Sequence, residues 1–166
     1  MGFPRGQGGP PYGGRGPQQQ EEMRIPSAQP VVYLETGKVN ATLFDEEAER
    51  WAKEFKEIAT SQLRRFYEHV VTLRRTAEIE REQNPNLGDE GVFERIRPEF
   101  KMMKAKAAYT AGRADRRDKP KYLALLQFCV NHTHSVKTMK DFEVFCRHFE
   151  SVVAFHKFYE VKGRGN

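Results

Sequence analysis

Leu63, Phe66, Val70, Leu73 and Ala77 recur at alternating intervals of three and four residues. A strand turns its side chains over every two residues and a helix about every 3.6, so only a helix puts these five on one side. The stripe is apolar, Arg64, Arg65 and Arg75 lie on the other faces, and Arg74 borders it, within reach of a neighbouring carboxylate. Such a helix is built to be covered by others. Nowhere does a period of two persist long enough to make a sheet. The chain is therefore expected to be all-α, a compact bundle of about five helices.

The remaining helices follow from the same periodicity. A first helix starts near Asp45, which can cap it, with Phe44 stapled onto the apolar side and Glu46, Glu47 and Glu49 where the helix dipole favours negative charge. It turns Ala48, Trp51, Ala52, Phe55 and Ile58 inward. The Leu63 helix follows past Thr60-Ser61 and is stopped by Asn84-Pro85-Asn86-Leu87-Gly88. The third is expected over residues 97–113, with Pro98 in its first turn and Gly112 as a left-handed cap. After a polar connector, Pro120 opens a helix through Val130 that is apolar on nearly every side and reads as the central buried one. The last runs from about Thr138 to Tyr159, with Met139, Phe142, Phe145, Cys146, Phe149, Val152 and Val153 inward, His156 on the same side and Gly163 after its end.

Residues 1–20 hold seven glycines in runs such as Gly13-Gly14-Arg15-Gly16-Pro17 and cannot bury enough apolar surface to offset ordering. A disordered Gly/Pro-rich tail is assigned to 1–38 and a helical bundle domain to 39–166. Within the tail, Val31 to Leu34 reads as a short extended piece on the body, turned by Thr36-Gly37-Lys38. The tail reads first as passive, and Arg5 and Arg15 among glycines, with Phe3 and Tyr12 nearby, give RNA contact as the second reading.

The net charge of +5 points only mildly to an anionic partner, but residues 97–121 alone carry nine cations against Glu99, Asp115 and Asp118. On the third helix Ile96, Phe100, Met103 and Ala107 share one face, while Arg97, Lys101 and Lys104 line a flank that ends at the small Ala108. Taken alone, that flank reads as a solvated charged face. A surface of this kind grips phosphates by charge and counterion release and does not read bases. Tyr67, Tyr109 and Phe158 are placed as interhelical filling first and as base-stacking groups second.

Enzymatic readings find little support. Cys129, His132, His134, Cys146 and His148 cluster on the last two helices without the paired spacing of a zinc site, and both cysteines fall on core faces. His156 reads as a packed histidine rather than a base. No phosphate loop, serine elbow or Asp-rich metal motif is present, so no catalytic residue, metal or cofactor is assigned. No apolar run reaches membrane-spanning length and no secretory signal is seen, so a cytoplasmic protein is expected.

Three segments carry a resemblance: Leu63-Arg64-Arg65-Phe66-Tyr67, Arg97 through Tyr109 to Gly112-Arg113, and Met139-Lys140-Asp141-Phe142 through Phe149 to Tyr159. In order and spacing, over roughly residues 45–160, they are similar to the small helical subunit of type III-A CRISPR effector complexes, the Csm complexes. The resemblance implies a non-catalytic scaffold present in several copies, stacked along the crRNA and its target RNA beside the backbone and large subunits, and acting in antiviral defence. It carries RNA contact to Arg64 and Arg65 in the first segment and to Lys101, Lys104 and Arg113 in the second. Arg75 and Arg97 are added from helical geometry alone. A helical protein–protein adaptor without RNA contact is the alternative.

Overall fold

The structure, a computed structural model, describes Gly2 and residues 23–163. Arg5, Arg15 and most of the Gly/Pro-rich tail lie outside these residues. Five helices account for the body: α1 Glu46–Glu54, α2 Thr60–Gln83, α3 Gly88–Arg113, α4 Lys119–Ser135 and α5 Met139–Gly163. The fold is all-α. The chain enters through a two-strand antiparallel hairpin, β1 Leu34–Glu35 and β2 Lys38–Val39, turned by Thr36 and Gly37 at φ of 48° and 79°. A 3-10 turn over Ala41–Phe44 leads into α1.

α1 begins where its acidic first turn predicts, although Asp45 makes no side-chain capping bond. Ala48, Trp51, Ala52, Phe55 and Ile58 are all buried, as is the whole Leu63 to Ala77 stripe of α2. The two helices are separate, and His156 of α5 bridges the break with its Nε2–H 3.0 Å from the carbonyls of Phe55 and Ile58. α5 starts on a reciprocal cap: the Asp141 carboxylate accepts from the N–H groups of Lys137 and Thr138, while the Thr138 hydroxyl accepts from the Asp141 N–H.

The third helix differs from expectation at both ends. It starts at Gly88, whose φ of +68° turns the chain out of α2, and Pro98 lies well inside it. An interior proline costs about 3 kcal/mol. Here Val92, Phe93 and Ile96 extend the buried stripe across it, and each buried side chain of that size returns about 1.5–3 kcal/mol. Pro98 itself faces solvent, where water can satisfy the carbonyl left without an amide. At the other end Gly112 stays helical, and the helix stops at Ala114 in extended backbone rather than at a left-handed glycine.

The helices close into a ring in the order α1, α5, α2, α3, α4 and back to α1. α4 is buried on nearly every side from Leu125 to Thr133, while Tyr122 to Ala124 are half-buried. The segment before β2 belongs to this packing. The Gln29 N–H donates to Asn131 Oδ1 (2.8 Å), the Val31 N–H to Ser135 Oγ (2.9 Å) and the Tyr33 hydroxyl to His132 Nδ1 (2.6 Å). His148 Nδ1–H donates to the Leu43 carbonyl, and its ring lies 5.0 Å from that of His132. Contacts with the bundle thus begin well before Val39.

Burial pushes His132 far below the ordinary histidine range, with His148 adding to it, and burial lowers His148 as well. Both are neutral in the fold, whereas an unfolded histidine takes a proton near pH 6.5. Because the unfolded chain then binds more protons, the pair adds no proton linkage well above that pH and destabilises the fold progressively as pH falls below it. The urea midpoint should decline from about pH 6.5 to 5, as the unfolding free energy falls by at most about 1.4 kcal/mol per pH unit for each fully buried histidine. A flat midpoint over that range would contradict neutral burial of the pair.

Candidate nucleic-acid interface

The cationic flank of α3 forms because core and flank are fixed by the same periodicity. Ile96, Phe100, Met103 and Ala107 are buried, so Arg97, Lys101 and Lys104, a quarter turn away, emerge along the border with α4. Arg97 Nη1 donates to Glu94 Oε1 at 2.8 Å, a pair within the helix. Lys101 Nζ donates to the Thr133 carbonyl in the last turn of α4, where the helix dipole is negative. Burial lowers the Lys101 pKa, and the charges of Lys137, Arg97 and Lys104 lower it further. These four cations form one cluster. Lys104 and Lys137 have no carboxylate partner among the described residues. Lys137, on the link between α4 and α5, was not expected, since only the fold brings it to α3.

The seven expected residues do not share one surface. Arg64 and Arg75 lie toward α5 and line a groove of about 590 Å³ with Tyr67, Glu68, Val71, Thr72 and Val153. Tyr67 itself packs edge-on against Phe149 at 5.7 Å, as filling. Arg65 lies about a quarter turn round α2 from both, one turn before His69, whose Nε2 is 3.2 Å from the Glu99 carbonyl of α3. There the antiparallel register is marked by Arg95–Glu80 and by Lys106 Nζ 3.1 Å from His69 Nδ1. Continuing that register by one turn brings Arg65 level with Tyr109 and Arg113. Arg113 makes no ion pair among the described residues; its Nη1 donates to the Tyr109 hydroxyl at 3.0 Å. The seven thus divide into the α3–α4 flank (Arg97, Lys101, Lys104), the α2–α5 groove (Arg64, Arg75) and the end of the α2–α3 pair (Arg65, Arg113).

The buried histidines His132, His148 and His156 and the two cysteines of α4 and α5 serve packing, while His134 faces solvent. Cys129 and Cys146 are buried, and desolvation raises both thiols, Cys146 to about 12, which leaves them poor nucleophiles. Among the described residues no group of three or more His, Cys, Asp or Glu side chains is arranged to hold a metal ion. No helix among them is long and apolar enough to cross a membrane.

The family model described as Csm2 Type III-A matches residues 38–162. The chain belongs to the Csm2 family. It is thus a small subunit of the type III-A CRISPR complex and associates with the other Csm subunits. No curated protein and no solved structure matches the chain. The region matched to the Csm2 family runs from β2 to α5 and contains all seven expected residues and Lys137. Gln29, Val31 and Tyr33, which tie the entering segment to α4, fall before it.

Within this Csm2-family bundle, Lys101 is both a charge and an internal tie, whereas Lys104 is only a charge. Lys101→Ala should cost about 0.5–1.5 kcal/mol in urea unfolding, the usual worth of one hydrogen bond, and Lys104→Ala should leave the midpoint where it is. Equal midpoints for both variants would show that the bond to Thr133 contributes nothing.

Proposed function

We propose that this chain is a non-catalytic scaffold that holds the sugar–phosphate backbone of RNA without reading its sequence, stacked in several copies along the crRNA and its target in antiviral defence. The observation that carries the reading is the cluster of Arg97, Lys101, Lys104 and Lys137, in which burial and then the other three charges lower the Lys101 pKa and in which, among the described residues, only Arg97 has a carboxylate partner. A row of cations with so little internal counter-charge is stabilised by a polyanion laid along it. Phosphate contacts position a strand but carry no sequence information, which suits a complex whose specificity comes from base pairing. Arg64, Arg65, Arg75 and Arg113 extend the contact over neighbouring faces. One copy touching a few phosphates binds weakly, and repetition along a strand raises the effective concentration of each further contact. A scaffold working on such RNA acts in the cytoplasm.

The double variant Lys104→Ala with Lys137→Ala tests the cluster without touching the tie made by Lys101. Its affinity for single-stranded RNA should fall. The slope of log affinity against log salt should become shallower by about 1.4, the value for two lost phosphate contacts. An unchanged slope would remove the flank from the interface. Absence of binding by both the protein and the assembled complex would favour the adaptor reading.

A further inference from the structure

Tyr109 is the large apolar side chain with the greatest exposure in the described body, at 64%. It fills no interhelical gap. The ring is nonetheless held: the Arg113 guanidinium carbon lies 5.4 Å from its centroid, and Arg113 Nη1 bonds to its hydroxyl at 3.0 Å. Its neighbours one turn away on α3 are Ala105, Lys106, Gly112 and Arg113, and a side chain at Gly112 would meet nothing within 4 Å. One face of the ring therefore carries a cation while little shields the other. Charge surrounds it on both sides: Arg65 is level with it across the helix pair, and the connector just beyond adds Arg116, Arg117 and Lys119. These three have no ion-pair partner among the described residues.

An exposed aromatic ring backed by a guanidinium and edged by unpaired cations is the chemistry that recognises an unstacked base joined to a phosphate chain. A duplex offers its phosphates but keeps its bases stacked. We propose that Tyr109, positioned by Arg113, is a stacking platform for a base of an unpaired nucleotide, so that this end of the α2–α3 pair takes single-stranded RNA. The inference rests on the RNA-binding reading above and adds to it the state of the strand. Stacking tolerates any base, so the site remains blind to sequence.

The test uses the full chain with a fluorescein-labelled oligouridine and with an RNA duplex of equal length. Tyr109→Leu should weaken single-strand binding about 5- to 150-fold, the span measured for loss of one base–aromatic stack. It should leave duplex binding and the salt slope unchanged, because no charge is altered. Tyr109→Phe should restore most of the single-strand affinity, and a 2-aminopurine placed in the strand should be quenched by wild type and not by Tyr109→Leu. Wild-type single-strand affinity in Tyr109→Leu, equal losses on both ligands, or a loss explained by a changed oligomeric state in sedimentation velocity would overturn the platform while leaving backbone binding intact. Failure of the wild-type protein to bind either RNA would instead overturn the RNA-binding reading and the platform with it.

Discussion

Phe128 on α4 is the contact on which the bundle turns. Its ring meets Trp51 at 5.2 Å and Phe55 at 5.6 Å from α1, Phe149 at 5.1 Å and His148 at 5.7 Å from α5, and His132 at 4.3 Å on its own helix. The contacts with Trp51 and Phe55 are edge-on, an arrangement that adds to area burial a preference for fixed angles. A second set continues from it: Phe145 lies 6.2 Å from Phe128 and 5.5 Å from Phe100, and Phe100 lies 5.5 Å from Phe142. Through Phe100 the core fixes the rotation of α3 about its axis. That rotation decides which side of α3 faces water, so the aromatic core sets the direction of the cationic flank.

Charge placement follows from that rotation. Lys101 points at the end of α4 and satisfies a carbonyl there, while Lys104 one turn on and Lys137 across the gap have no carboxylate partner among the described residues. Much of the other surface charge is compensated locally, as in Arg50–Glu47, Arg95–Glu80 and Arg81 with Asp89 and Glu143. Such exposed pairs add little to stability, but they cancel the field around them. The α3–α4 flank, the α2–α5 groove and the connector each bring together cations that have no carboxylate partner among the described residues.

The buried faces of all five helices were legible in the sequence, because each is long enough for its apolar period to repeat and the burial of Leu63 to Ala77 needs no knowledge of its neighbours. The boundary of α3 was not. Pro98 is a strong local signal for a helix start, and the burial of Val92, Phe93 and Ile96 that overrides it is a tertiary effect. The ties from Gln29, Val31 and Tyr33 to α4 span about a hundred residues of sequence and leave no local pattern, which is why the helix is expected only through Val130 whereas α4 runs on to Ser135. For the interface, the charge count located the flank on α3 correctly in sequence, yet it could not separate Lys101, which is tied to a carbonyl, from Lys104, which is not. Lys137 escaped because a lone lysine in a short link carries no pattern. Membership in the Csm2 family agrees with the resemblance carried by the three segments, which fall inside the matched region.

The central claim is that the α3–α4 flank lies against nucleic acid in the working complex, and the reactivity of its amines measures this most directly. In the assembled ribonucleoprotein, Lys104 and Lys137 should be shielded from an amine-reactive reagent and become modified once the RNA is digested, with Lys38 and Lys56 reacting alike in both states. Equal modification of Lys104 and Lys137 before and after digestion would contradict the claim.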